Sequence, residues 1–203
     1  MNNKGLAILL GLILLSGCGG APIGISYYVI DPVSMPAVAK FDTKSVQILD
    51  LKLPQYLERF QIARREGSNR LTFSANQQWG ENLRKNLYRT MTRNLAELLG
   101  TADVGTAINR SFATPDYVLR VSIEAFEQGA DGRAQLAARY QISSGAGKLL
   151  VTEQFSSVVD RDSGDRYGDM VADLQALYAE LSREIAISLQ YLEEQHLAEQ
   201  HAG

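Results

Sequence analysis

The stretch that decides the fold runs from residue 117 to residue 159: YVLRVSIEAFEQGADGRAQLAARYQISSGAGKLLVTEQFSSVV. Residues 117–126 and 133–143 alternate apolar and polar side chains, as strands with one buried face do, and residues 148–159 are predicted to form a third strand. Glycine-containing turns at 129–132 and 145–147 separate them. The sequence therefore predicts an antiparallel meander of three strands. Its inward side chains are expected to be Tyr117, Leu119, Val121, Ile123 and Ala125, then Leu136, Ala138, Tyr140 and Ile142.

Further strands are predicted on the N-terminal side of this meander. Residues 25–30 are aromatic and β-branched, and a second apolar run, 45–53, stops at Pro54. Residues 59–65 and 70–75 flank a Gly-Ser-Asn turn and predict a hairpin. The N-terminal half is thus expected to add four strands to the sheet.

Two longer segments have the three- and four-residue apolar spacing of amphipathic helices: 79–99, ended by Gly100, and 167–192. A loop is predicted between the first helix and the meander, at 100–116. Two such helices need a sheet face to cover. We therefore expect a single α/β domain (α+β-like), with a mixed, mostly antiparallel sheet covered by two long amphipathic helices. The expected stripes are Leu83, Leu87, Met91, Leu95 and Leu98, and Val171, Leu174, Tyr178, Leu181, Ile185 and Leu192.

Composition limits the classes of function. The chain has 203 residues, 45% of them hydrophobic, enough for one folded domain. Lys and Arg number 20 against 23 Asp and Glu, so the formal net charge of −3 gives no electrostatic case for a nucleic-acid partner. One Cys and two His cannot supply a His/Cys metal centre. No cofactor is expected.

The N-terminus predicts a lipoprotein signal peptide over residues 1–17, MNNKGLAILLGLILLSG. Lys4 provides the positive charge, and the apolar run 5–15 is too short to span a bilayer, which takes about 20 residues. Leu15-Ser16-Gly17-Cys18 has the residue order of a bacterial lipobox. Cys18 is therefore expected to carry an S-diacylglyceryl group and an N-acyl chain such as palmitate.

The predicted anchor fixes the arrangement of the mature chain. Residues 18–24 form a short leash that reaches at most about 25 Å, so the domain at 25–192 lies close to the membrane. Residue 19 is Gly rather than Asp, which predicts sorting to the outer membrane, facing the periplasm. The final segment 193–203, EEQHLAEQHAG, predicts a polar flexible tail.

The sequence predicts no catalytic residues. The segment Gly145-Ala-Gly-Lys148 departs from the phosphate-loop signature and is better explained as a hairpin turn. His196 and His201 lie in the predicted tail, without the buried neighbours that a general base needs. Three carboxylates are expected in a solvated loop and not in a calcium site: Asp160, Asp162 and Asp165. Three others are expected on an exposed sheet face: Glu124, Glu127 and Glu153.

Trp79 and four arginines allow more than one reading. Trp79 is predicted to lie just inside the first helix. A buried side chain that anchors the core explains it better than an exposed ring on which a ligand stacks. The arginines of the hairpin either pair with acidic neighbours or form a docking edge for an acidic partner, and the sequence does not separate these alternatives. They are Arg59, Arg64, Arg65 and Arg70.

Several short motifs follow one another along the mature chain. After Cys18 come Tyr27-Tyr28, LPQYL at 53–57, Asn69-Arg70-Leu71, WGENL at 79–83, VLRV at 118–121, Phe126-Glu127 and LSREIA at 181–186. In order and spacing they resemble the ABC-type transport auxiliary lipoproteins, the PqiC-like family. The polar segment after Leu192 departs from the family pattern.

The resemblance implies an outer-membrane lipoprotein, not an enzyme, that works in an intermembrane lipid transport system and supports envelope integrity. Its partner would be an MCE-domain membrane protein, docked at the outer membrane. Association into a homo-oligomeric ring would suit a tubular partner. An alternative from another class is a stand-alone lipid-binding lipoprotein, which needs a wide apolar pocket. An envelope hydrolase is disfavoured because no positioned His and nucleophile are predicted.

Overall fold

Eight strands and two long helices make up the part of the chain that the computed structural model describes, residues 24–41, 43–106 and 114–202. A short 3₁₀ helix, Gln55–Glu58, lies between the second and third strands. The elements in chain order are β1 Ser26–Tyr28, β2 Val46–Lys52, β3 Gln61–Glu66, β4 Arg70–Trp79, α1 Leu83–Leu99, β5 Val104–Gly105, β6 Tyr117–Gln128, β7 Arg133–Ser144, β8 Leu149–Asp162 and α2 Tyr167–Ala202.

The predicted meander is present, because β6, β7 and β8 pair in sequence as antiparallel strands. Its inward side chains are buried as predicted, with one exception on β6. The register shifts between Ile123 and Ala125, a β-bulge that reverses the alternation. Ala125 is therefore only partly buried, and Phe126 takes the core position with 1% of its surface exposed.

The rest of the sheet is assembled by pairings between distant parts of the chain. Strand β2 runs parallel to the first half of β6, from Val46↔Tyr117 to Lys52↔Ser122. The β3–β4 hairpin joins the same edge of β6 further along, through Arg64↔Gln128. Strand β1 pairs in parallel with β4. Among the described strands, β1 and β8 therefore lie at opposite edges of the mixed sheet.

The two helices lie side by side on the sheet, α1 against β2 and α2 against β7 and β8. Both predicted apolar stripes are buried, and only Leu192 at the end of the second is half-buried. Tyr178 of α2 joins the layers, because its hydroxyl donates to the Leu87 carbonyl of α1 at 2.8 Å and its ring meets Phe126 edge-on. The fold class is thus the predicted one.

Trp79 is the last residue of β4 and not part of the helix, so its predicted placement is wrong. Helix α1 begins at Leu83 because the Asn82 side chain accepts a hydrogen bond from the Lys85 amide at 3.1 Å and caps the first turn. The indole is nevertheless 3% exposed and packs on Phe126, so its predicted role as a core anchor is confirmed.

Helix α2 continues to Ala202, whereas the sequence predicts that it ends at Leu192. Residues 193–202, predicted as a flexible tail, are helical because the Glu, Gln, Leu and Ala that dominate this segment are strong helix formers. The short strand β5 forms within the predicted loop 100–116 because it pairs with the start of β2. Strand β8 also extends through Asp162, so Asp160 and Asp162 lie on a strand rather than in a loop.

Candidate functional site

The arginines of the β3–β4 hairpin are engaged within the fold. Arg64 contacts Asp165 at 2.8 Å and lies over the Tyr167 ring, and Arg70 pairs with Glu66. Arg59 covers the ring of Phe73 at 4.7 Å, and Arg65 binds a buried carboxylate described next. Pairing with acidic neighbours, one of the two alternatives left open by the sequence, therefore accounts for Arg64, Arg65 and Arg70, whereas Arg59 contacts an aromatic ring instead.

Glu127 on β6 is fully buried, so its predicted place on an exposed sheet face is wrong. Its carboxylate accepts hydrogen bonds from the Tyr56 hydroxyl at 2.7 Å, the Arg65 guanidinium at 2.9 and 3.1 Å and the Gln135 amide at 3.3 Å. Burial and the bond to Glu127 raise the pKa of the Tyr56 phenol, and the same carboxylate raises the pKa of Arg65. These bonds occupy the carboxylate, so the cluster holds β6, β3 and the 3₁₀ helix together.

Of the remaining predicted carboxylates, Asp162 and Asp165 line one surface pocket, and neither histidine lies in it. Glu124 and Glu153 are exposed, as predicted. The described residues contain no group of three His, Cys, Asp or Glu side chains placed to bind a metal ion. His196 and His201 lie exposed on the last turns of α2, not in a frayed tail. The segment 145–148 is the β7–β8 turn, as predicted.

A groove of about 540 Å³ lies between β2 and α1, and the sequence analysis did not identify it. Its helix side carries four exposed cations, and its strand side carries Leu49, a large apolar side chain that is 48% exposed. Tyr88 forms part of the floor; burial raises its pKa to about 12, and its hydroxyl donates to the Ile48 carbonyl. We call this surface the basic groove; its cations are Arg84, Lys85, Arg89 and Arg93.

Two of these cations are neutralised by acidic side chains at the rim. Arg84 pairs with Glu58 at 3.3 Å, and Arg89 forms a two-point contact with Glu81. The hydrogen bond from Arg89 lowers the pKa of Glu81, and the pKa of Arg89 is raised in return. Within the described part of the chain, Lys85 and Arg93 have no ion-pair partner. They are the cations that the groove offers to another molecule, and Asp50 in the same lining pairs with Lys52 at 3.6 Å.

The predicted lipidation residue, Cys18, lies outside the described residues, so its modification stays a prediction. None of the described helices combines the length and the hydropathy that are needed to cross a bilayer.

Comparison with known families identifies the protein class. The chain belongs to the family of ABC-type transport auxiliary lipoprotein components, whose model matches residues 28–186. The family predicted from the sequence motifs is thereby confirmed. This is a family of membrane-anchored envelope proteins that serve transport systems, and it is not an enzyme class.

Two of the solved structures to which the chain is similar share its fold. The crystal structure of an uncharacterized protein superposes with a TM-score of 0.69 at 20% identity, covering 82% of this chain and 99% of that one. A DUF330 protein from Xanthomonas campestris gives 0.69 at 14% identity, covering 83% and 99%. A PelC dodecamer from Paraburkholderia phytofirmans gives 0.37 at 16% identity, covering 74% and 93%. No curated protein is significantly similar to this chain in sequence.

Proposed function

We propose that this chain is the outer-membrane lipoprotein subunit of an MCE-type (PqiABC-like) intermembrane lipid transport system. It docks the MCE-domain protein at the outer membrane and supports envelope integrity. The observation that carries the proposal is the family match over residues 28–186, which spans β1 to α2. The lipobox ending at Cys18 supports it independently, because acylation there would hold the domain at the membrane that the MCE protein must reach.

The anchor is tested by Cys18→Ala in the producing bacterium. Without the thiol no thioether can form, so the variant is expected to remain an unprocessed precursor and to be lost from the outer-membrane fraction. The measurement is intact mass together with membrane fractionation. A variant that is processed and fractionates normally would contradict the anchor.

Docking is tested by recovering the lipoprotein from native membranes in mild detergent and identifying its partners by mass spectrometry. Recovery of an MCE-domain protein in comparable amount is the expected result. Abundant, intact lipoprotein without any MCE-domain protein would overturn the docking role.

The basic groove is the contact surface that we assign to this partner, because Lys85 and Arg93, which form no ion pair with any described residue, fit an acidic segment. Reversing both charges (Lys85→Glu with Arg93→Glu) is expected to reduce recovery of the MCE-domain protein and to make the remaining binding less sensitive to salt. Lys148→Glu with Arg183→Glu is the matched control, since both residues are exposed and lie outside the groove. Equal losses in the two double variants would rule out the groove.

The second candidate is a stand-alone lipid-binding lipoprotein. A carrier needs an enclosed apolar pocket, whereas the face of the sheet that could line one is filled by the stripes of α1 and α2. Native mass spectrometry of the purified protein separates the two functions. Stoichiometric phospholipid on a monomer supports the carrier, and a ligand-free ring supports docking.

A further inference from the structure

The first strand of the domain carries an apolar strip that the fold does not use. Tyr28 at the end of β1 is half-buried, and Ile30, two residues further along, is completely buried. The alternate positions point to the other face. There Ile25, Tyr27 and Val29 are 48%, 64% and 39% exposed.

Tyr27 has the most exposed large apolar side chain among the described residues. Single exposed apolar residues need no explanation, but three successive outward positions along β1 and the residues that flank it form a continuous surface. The strand at the opposite edge of the sheet differs, since Thr152, Gln154 and Ser156 occupy successive outward positions on β8 and Val158, 43% exposed, is the one large apolar side chain that follows them. An apolar outer face is therefore a feature of the β1 edge and not of every edge in this fold.

The strip is held in a fixed direction. Asn86 of α1 binds the backbone of Ile30 at both its amide and its carbonyl, at 2.7 and 2.9 Å, and Thr90 adds a bond to the same carbonyl. On the other side the Tyr28 hydroxyl donates to Gln77 at 2.8 Å. The strand cannot rotate its outward residues into the core without breaking these bonds.

The position of the strip along the chain indicates what covers it. Only six residues, 19–24, separate the predicted acylated Cys18 from Ile25, and the seven steps of chain from 18 to 25 reach at most about 25 Å. A folded domain of this size is roughly 40 Å across, so the β1 edge stays on the membrane side. Tyrosine beside aliphatic side chains suits the boundary between headgroups and acyl chains, where one part of the ring is apolar and the hydroxyl is wet.

We propose that Ile25, Tyr27 and Val29 form a membrane-contacting surface that rests in the interfacial region of the lipid leaflet holding the anchor. The strip fixes the orientation of the domain on the membrane, which acyl chains on a leash cannot do alone. This inference depends on the lipid anchor proposed at Cys18.

The single cysteine of the chain makes a direct test practical, because acylation of Cys18 blocks its thiol. Tyr27→Cys then provides the only free thiol for an environment-sensitive NBD fluorophore on the full-length processed lipoprotein. The labelled protein is placed in phosphatidylethanolamine–phosphatidylglycerol vesicles containing spin-labelled phospholipid. Ile187→Cys is the matched control, since Ile187 is an apolar side chain with 41% exposure on α2.

The probe at residue 27 is expected to shift to the blue and to lose half or more of its emission to the spin label, because an interfacial side chain lies within about 5–10 Å of the headgroup boundary. The probe at residue 187 is expected to keep its emission.

An unquenched probe at 27 in acylated, vesicle-bound protein would overturn the membrane contact, and a blue shift without quenching would assign the strip to a protein partner or second copy. Equal quenching at both positions would overturn the orientation. An intact mass without acyl groups would instead overturn the anchor, and the inference with it.

Discussion

At the scale of single residues, the buried carboxylate of Glu127 is the most demanding feature of the domain. Glu127→Ala would remove the acceptor from Tyr56 and Arg65 and leave buried donors unpaired. We expect the free energy of unfolding to fall by about 3 kcal/mol. Urea denaturation followed by circular dichroism measures this change.

Glu124→Ala provides the comparison on the same strand. Its carboxylate is exposed and reaches Arg139 only at 3.9 Å, so its loss is expected to change the free energy of unfolding by less than about 0.5 kcal/mol. Similar effects of the two substitutions would mean that the buried bonds around Glu127 contribute nothing.

Gly145 in the β7–β8 turn is required by close backbone approach. A Cβ atom there would lie 1.8 Å from the Pro115 carbonyl oxygen, and the Gly145 amide donates to the Asp116 carbonyl at 2.9 Å. Gly145→Ala is expected to lower the free energy of unfolding by about 2 kcal/mol or more, measured by urea denaturation. Gly168→Ala, where nothing lies within 4 Å, should be neutral or stabilising by up to about 1 kcal/mol. A neutral Gly145→Ala would contradict the tight turn.

At the scale of elements, the end of α2 contributes through one residue. Glu193 accepts from the Tyr117 hydroxyl at 2.8 Å and pairs with Lys44 at 3.2 Å, so it ties the helix to the start of β6. Ending the chain after Leu192 removes both contacts at a cost of about 1–2 kcal/mol. The thermal midpoint is expected to drop by about 3–6 °C in differential scanning calorimetry.

A chain that ends after Glu194 is the control, because it keeps both contacts and loses only the exposed turns. Its thermal midpoint should stay within about 1 °C of the full chain. If both truncations lowered the midpoint equally, the exposed turns rather than Glu193 would carry the effect.

Elements defined by local patterns could be predicted, and their ends and distant pairings could not. The meander follows from alternation inside β6 and β7 and from the glycine-containing turns, but the bulge at Ile123 depends on how β6 meets β7. The start of α1 is set by Asn82, which caps the helix. The apolar Trp79 shortly before it led to a predicted start that is four residues too early. Neither segment's sequence alone indicates that β2 pairs in parallel with β6.

The candidate surfaces show the same difference between features made of consecutive residues, which could be predicted, and features formed by distant residues, which could not. The predicted lipobox around Cys18 and the family motifs can be recognised in the sequence because each of them consists of consecutive residues. The cations of the basic groove alternate with buried residues along α1 and have the appearance of an ordinary solvated helix face. Only the position of Leu49 on the neighbouring strand shows that Lys85 and Arg93 border a groove. The apolar strip of β1 was predicted as a strand, but which face is covered depends on β4 and α1.

At the scale of the whole molecule, buried tyrosines predict the response to alkali. The pKa of Tyr88 is raised to about 12, and burial also raises the pKa of Tyr56, Tyr117, Tyr140 and Tyr178. The unfolded chain ionises its phenols near pH 10, so their contribution to stability is complete below that pH and is lost above it. The free energy of unfolding should therefore fall as the pH rises from about 10 to 12.

Phenolate absorbance at 295 nm, followed together with circular dichroism, measures this loss. A late, cooperative rise in absorbance that coincides with unfolding is the expected result. Ionisation of every tyrosine near pH 10 with an unchanged dichroism spectrum would contradict it.

The parallel pairing of β2 with β6 has a consequence for how the chain reaches its native state. A chain that emerges from its N-terminus presents β2 long before its partner exists, because Val46 must wait for Tyr117. Such non-local pairing slows folding and leaves an apolar strand exposed in the meantime. The meander, whose contacts are local, is expected to form first and to act as the template on which the N-terminal strands assemble. A holding chaperone would therefore be needed most by the first half of the chain, during the interval before β6 arrives.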